Sequence, residues 1–228
     1  MADTRERLIE GALDAMRTHG IAGVSARTIA AAAGVNQALV FYHFGSVDDL
    51  LAQACRVATE RRVEAYRARL AAVGSLGELL KLGRELHESE RSQGNVAVLA
   101  QLLAAAQAEG RLAESTGETL NVWVREVEGV LTRLLAGSPL AELADPAGLA
   151  PAVSAAFIGL ELYEGVDPRG AERALEALER LGALVEVVEE LGPVARRALR
   201  AKLNRRPPPS PMILKDFPRS DTENPSGS

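Results

Sequence analysis

Apolar residues recur along this chain every three to four positions, the spacing that lays a stripe down one face of a helix. Over residues 3–19 the stripe is Leu8, Ile9, Ala12, Leu13 and Met16. Asp3 and Glu6 stand before it at capping-box spacing, and His19-Gly20 closes it. Ser25 caps a second helix, Ala26 to Ala33, with Ile29, Ala30 and Ala33 turned inward and Gly34 as its stop. A third runs from Asn36 or Gln37 to about Phe44. Ser46 with Asp49 opens a long fourth helix over 47–73, and Ser75 with Glu78 a fifth that ends near Gln93-Gly94. A sixth covers 95–109, and Ser115 with Glu118 opens a seventh through Leu135. Asp145-Pro146 and Asp167-Pro168 each set an N-cap before an N1 proline, predicting helices over about 146–164 and 168–191. Past Gly192-Pro193 a basic helix is expected to about Leu203.

From Asn204 the pattern stops. Arg205-Arg206-Pro207-Pro208-Pro209-Ser210-Pro211 and the polar residues after it cannot bury a core, so a largely disordered tail is expected, with Met212-Ile213-Leu214 as a weak docking point. The layout is a three-helix head over 1–46, a helical body over 47–203 and a Pro-rich tail over 204–228. Composition agrees with an all-α fold. Alanine and leucine dominate and aromatics make up 4% of the 228 residues, a balance that favours helix over strand. No apolar stretch approaches bilayer-spanning length, and no signal-peptide pattern is present, so a cytoplasmic protein without a membrane partner is expected. The single cysteine, Cys55, excludes an internal disulfide and a multi-cysteine metal site. No metal or other cofactor is expected. The net charge of −5 argues against nucleic acid as a partner when taken alone.

The head argues the other way. A helix-turn-helix needs a small residue where its helices cross, a left-handed residue at the turn and apolar residues that seat the second helix. Ala30, Gly34 and Val40 supply these at the right spacing, with Ile29 and Val35 beside them. An ordinary helical hairpin fits that spacing equally well, and the surrounding residues break the tie. Gly34-Val35-Asn36-Gln37-Ala38-Leu39-Val40-Phe41-Tyr42-His43-Phe44-Gly45-Ser46-Val47-Asp48-Asp49-Leu50 resembles the TetR-family pattern GVSxGTLYxHFxSKEEL. Upstream, Gly20-Ile21-Ala22-Gly23-Val24-Ser25-Ala26-Arg27-Thr28-Ile29-Ala30 is similar to that family's GxxxxTxxxIA. The resemblance spans about residues 4–52.

The resemblance implies a non-enzymatic regulator, a dimeric repressor that binds a palindromic double-stranded operator. Arg27 and Thr28 would contact phosphate from the helix beside the groove. Asn36 precedes the recognition helix, where Gln37, Ala38 and Leu39 would face base edges. Gln pairs bidentately with adenine, and Ala and Leu offer apolar contact to a thymine methyl. Phe41, Tyr42 and His43 belong to the same DNA face, Tyr42 and His43 placed for phosphate or sugar, while Val40 and Phe44 read as core. Three positions depart from the pattern: Val47 replaces the usual Lys, Phe41 the usual Tyr and Leu39 the usual Thr. Residues 1–47 also carry four arginines against four acids. Fewer phosphate contacts imply a weaker and less salt-sensitive grip.

For the body, the resemblance implies a small-molecule effector enclosed by helices between about 47 and 135. Candidate lining residues are Tyr66, His87, Gln101, Gln107, Trp123 and Phe157, large or polar side chains on otherwise apolar faces. Each has a plainer reading: Trp123 as a core anchor, His87 as a partly solvated surface residue beside Glu85 and Glu88, the glutamines as amides that need a partner if buried. Ala152, Ala155, Ala156 and Gly159 give one late helix a small-residue face, and Leu175, Leu178, Leu181, Val185 and Val188 give the next an apolar stripe. Paired across two chains these would form a four-helix dimer interface; packing within one subunit is the alternative. The basic run Arg196 to Lys202 suits a helix C-terminus better than a second nucleic-acid site. Control by a protein partner, or by no ligand, is the other regulatory reading. An enzyme built on Cys55 or His87 lacks any visible nucleophile–base–orienter set.

Overall fold

Helix α1 (Thr4–His19) buries the expected stripe, Leu8, Ile9, Ala12, Leu13 and Met16, together with Gly11 and Ala15. These are features of a computed structural model, which describes residues 3–107, 110–136, 138, 145–189, 192, 194, 197 and 201. After a short 3-10 turn at Ile21–Gly23 come α2 (Ala26–Ala33), α3 (Ala38–Phe44) and α4 (Val47–Ala72). The body continues with α5 (Leu76–Ser92), α6 (Asn95–Ala106), α7 (Gly110–Leu135), α8 (Pro146–Glu164) and α9 (Pro168–Glu189). Every regular element among the described residues is helical, so the chain is all-α. The basic segment after Gly192 and the Pro-rich tail expected from the sequence lie almost wholly outside the described residues.

Local chemistry sets most boundaries. Ser46 and Ser75 accept from the backbone N–H groups of Asp49 and Glu78, and Asp145 accepts from those of Ala147 and Gly148. Each satisfies donors that a helix start leaves unpaired. Two expectations fail. Asp3 makes no side-chain capping bond to α1. Ser115 does not open α7 but lies inside it, its hydroxyl bonded back to the Leu112 carbonyl at 3.2 Å. A mid-helix serine can satisfy itself that way, so the capping-box spacing misleads there. The sixth helix stops at Ala106 rather than 109.

Two cores organise the packing. The first joins α1, α2 and α3 to the start of α4, where Leu50, Leu51, Ala54 and Ala58 are buried against Leu8, Met16, Ile29 and Val40. The head's core therefore continues through α4 well past the boundary expected at residue 46. The second holds Leu70, Val73, Leu79, Leu82, Val130, Leu131 and Ala150, from α4, α5, α7 and α8. Helices α4 and α7, 26 residues each, run about 39 Å and pack on one another.

Contrary to expectation, one helix is long and apolar enough to cross a membrane. An 18-residue window of α8 has mean hydropathy 1.2, and only 11% of it is buried in the protomer. Its apolar character resides in small residues and in a face left uncovered, with Ala152, Ala155, Ala156 and Gly159 all exposed.

Candidate nucleic-acid interface

The turn between α2 and α3 depends on Gly34, which sits at φ 62°, ψ 41°. That left-handed geometry costs an L-residue about 1–2 kcal/mol. Gly34 N–H reaches the Ala30 and Ala31 carbonyls, and Val35 N–H donates to Ala30 at 3.0 Å. The remaining helix-end acceptors are taken by Arg7 of α1, whose Nη2 donates to the carbonyls of Ala33 and Gly34 at 2.7 Å each. Close approach of α1 to α2 needs Gly11: a Cβ there would lie 2.8 Å from the Ala33 Cβ and backbone nitrogen. Both Arg7 and Gly11 lie outside the motif carried by residues 20–50. A glycine on the apolar stripe of α1 was the available signal.

At the start of α2, Ser25 and Thr28 form a reciprocal capping box. Thr28 Oγ1 accepts from Ser25 N at 2.8 Å and donates to the Ser25 carbonyl at 3.0 Å. Its hydroxyl is committed to the helix end, whereas the neighbouring Arg27 is exposed. The other head arginines are occupied. Arg7 caps α2, Arg5 stacks over the Phe44 ring at 5.0 Å, and Arg17 bonds Asn95 and Asp14.

Helix α3 is seated by Val40, which is fully buried, and by the partly buried Val35, Leu39 and Phe44. Asn36 Oδ1 accepts from Ala38 N at 2.9 Å and so holds the helix start. Gln37 makes no capping bond and is exposed together with Ala38. Phe41 is 53% exposed and Tyr42 81%. Tyr42 meets the half-buried His43 edge to face. Asn36, Gln37, Ala38, Phe41 and Tyr42 thus form an exposed rim on α3 with Arg27 nearby in the motif, while Leu39 turns partly into the core. Two large aromatics on this short helix are left uncovered.

The body candidates separate into three groups. Tyr66 and Trp123 meet edge to face at 6.4 Å and pack against the second core. Gln101 is exposed on α6, and its Oε1 accepts from Ile21 N at 2.7 Å, so it binds the head. Gln107 is exposed at the C-cap of α6. His87 and Phe157 come together, their rings 6.2 Å apart, in a cavity of about 280 Å³ between α5, α8 and the start of α9. Of the helices between 47 and 135 expected to enclose a pocket, α5 lines this cavity, and its other walls come from α8 and α9. His87 is buried, not at the surface. Its Nδ1 faces Glu161 Oε1 at 3.2 Å and its Nε2 contacts Glu164, which also pairs with Arg91 at 2.7 Å. Burial pushes the Glu161 carboxyl above its ordinary range, and the adjacent imidazole opposes the shift.

Residues 8–54 match the family model for bacterial regulatory proteins of the tetR family. A comparison with curated protein sequences returns no match. Among solved structures, a Rhodococcus sp. protein assigned to the TetR family superposes with TM-score 0.66 at 24% identity, over 83% of this chain and 100% of that one. A Streptomyces coelicolor A3(2) protein described as a transcriptional regulator is 29% identical, with TM-score 0.61 over 79% of this chain and 99% of its own. The multidrug binding protein EbrR, solved with proflavin, is also 29% identical, with TM-score 0.55 over 78% and 99%. Proteins of this family regulate transcription and are not enzymes. With its helix-turn-helix geometry, the head over residues 8–54 matches the tetR family of bacterial regulatory proteins, and the whole chain is similar in fold to transcriptional regulators of that family.

Proposed function

We propose that the protein is a two-fold dimer that binds a palindromic operator in the cytoplasm and is controlled by a small molecule held in the cavity between α5, α8 and α9. The exposed rim of α3 carries the DNA reading. Gln37 and Ala38 face base edges there, Arg27 meets phosphate, and Phe41, Tyr42 and His43 line the sugar–phosphate wall. Helix start residues Asn36 and Thr28 hold backbone N–H groups in place, and Leu39 serves mainly to seat the helix.

Ligand control rests on the cavity. It is concave, combines Phe157, Leu160 and Leu175 with the buried His87 and Glu161, and is near the lower size limit for small-molecule sites. The multidrug binding protein EbrR, which shares this fold and holds proflavin, is a precedent for ligand uptake by such a body. Dimerisation is supported by the uncovered face of α8 and by Leu149, Tyr163, Val166 and Leu181, large apolar side chains left at the protomer surface. The side chains of Val185 and Val188 lie outside the described residues.

Selecting genomic DNA fragments with the purified protein tests the reading. Recovered fragments should share an inverted repeat. In a mobility-shift titration Gln37→Ala should relax preference at one base pair per half-site, and Arg27→Ala should weaken all sequences alike. Loss of neither would refute the assigned DNA face.

A further inference from the structure

Three helices meet at one amide, and a fourth is tied to it through a carboxylate. Asn95, the first residue of α6, is 8% exposed. Its Oδ1 accepts from Arg17 Nε of α1 at 3.1 Å, and its Nδ2 donates to Glu90 Oε2 of α5 at 3.0 Å and to Gln93 Oε1 at 3.4 Å. Glu90 in turn pairs with Arg62 of α4 at 2.9 Å, in a contact where the two side chains are 14% and 27% exposed. Donor and acceptor are fixed at each step, since Arg17 can only donate and Glu90 can only accept. One and two helical turns further along α6, Val98 packs on the head's core and Gln101 accepts from Ile21 N. A face of α6 therefore carries the head's docking contacts, apolar in the middle and polar at both ends.

We infer that Asn95 is a positioning residue that fixes the angle of the DNA-binding head on the body, with the Arg62–Glu90 pair as its anchor. Three features single it out. The bond from Arg17 crosses from head to body. Buried amide and carboxylate groups that lose their partners are costly, so the arrangement tolerates one orientation well and others poorly. The same anchor also sits close to the cavity: Glu90 stands on α5 between Glu88 and Arg91, which line it, and its charge opposes ionisation of Glu161, the buried carboxyl beside His87. A change of charge there bears on the group that holds Asn95. That last step rests on the cavity being the effector site, whereas the positioning role does not.

The experiment uses the full chain without DNA or effector. Spin labels go on exposed positions of head and body, Ala32→Cys and Arg125→Cys, in a Cys55→Ala background, diluted with unlabelled protein so that only pairs within one chain are read. Wild-type contacts should give a narrow distance distribution. Asn95→Ala should at least double its width, and Arg17→Met, which removes the donor at the head end of the same bond without touching the body, should broaden it likewise. A purely structural role would lower the melting temperature and leave the width of the folded protein unchanged. An unchanged width in Arg17→Met, or in a folded Asn95→Ala, overturns the inference. With operator DNA, loosening of the head should reduce discrimination between the preferred half-site spacing and one two base pairs longer by at least fivefold. If the wild-type protein itself shows no spacing preference, the two-headed reading fails while the distance measurement still decides the role of Asn95.

Discussion

A few side chains show how the same residue type is put to different uses by its surroundings. Of the head's four arginines, three are absorbed by capping a helix, stacking on an aromatic ring and bonding to the body. Only Arg27 sits on the exposed flank of the reading helix pair. The pattern-derived scaffold residues, Ile29, Ala30, Gly34 and Val40, were legible in the sequence because each is required by a contact within a few positions. Arg7 and Gly11 were not, because their partners Ala33 and Gly34 are more than twenty residues away. Cys55 gives a prediction at this scale. It is half-buried against the head's core, and burial raises its thiol from 9.0 to about 11, with Arg62 opposing. At pH 8 the thiolate fraction is then about 0.1% rather than about 10%. Alkylation of the native protein at pH 8 should be roughly a hundredfold slower than in denaturant. Equal rates would show that the sulfur is open. The sign for stability follows: neutral thiol is the form that the fold prefers, so this contribution is complete below the ordinary pKa and fades as pH climbs toward 11.

Between elements, the His87–Glu161 contact places a buried, hydrogen-bonded acid between α5 and α8. Glu161 is 6% exposed, and its carboxyl is raised chiefly by desolvation. A carboxyl whose folded pKa exceeds its unfolded value stabilises the fold below the unfolded pKa, and loses that contribution as pH rises through the folded one. Glu161→Gln removes the buried charge and keeps an acceptor for His87. The variant should melt higher than wild type at pH 7.5, and the difference should vanish as pH approaches 4. A constant difference across that range would mean that the charge is not the cause. In the sequence His87, beside Glu85 and Glu88, reads either as pocket lining or as a partly solvated surface residue. Its real partners, Glu161 and Glu164, lie more than seventy residues on. Helix existence could be read from periodicity and caps. Which faces meet could not, and so of the candidate lining residues only His87 and Phe157 come together at this cavity.

For the whole molecule the question is how an acidic chain with a sparsely cationic head binds DNA at all. One head offers Arg27, an exposed aromatic rim and backbone donors, which is little charge with which to release counterions. Two heads on a rigid frame change the arithmetic, because the second binds at an effective concentration set by the first. The frame in this reading is the uncovered face of α8 with α9. Gly159 is the place to challenge it, since a side chain there would meet nothing within 4 Å in the protomer. Gly159→Glu should therefore leave folding intact, as read by far-UV dichroism and melting. It should place like charges opposite one another at a two-fold contact, where small residues allow close approach. Sedimentation at micromolar concentration should show the mass falling from two chains to one. Operator affinity should fall by about a hundredfold or more as each head is left to bind alone. A variant that stays dimeric would place the interface on another face. One that becomes monomeric yet keeps full affinity would mean that a single head suffices, and that the acidic surface opposes binding less than its charge implies.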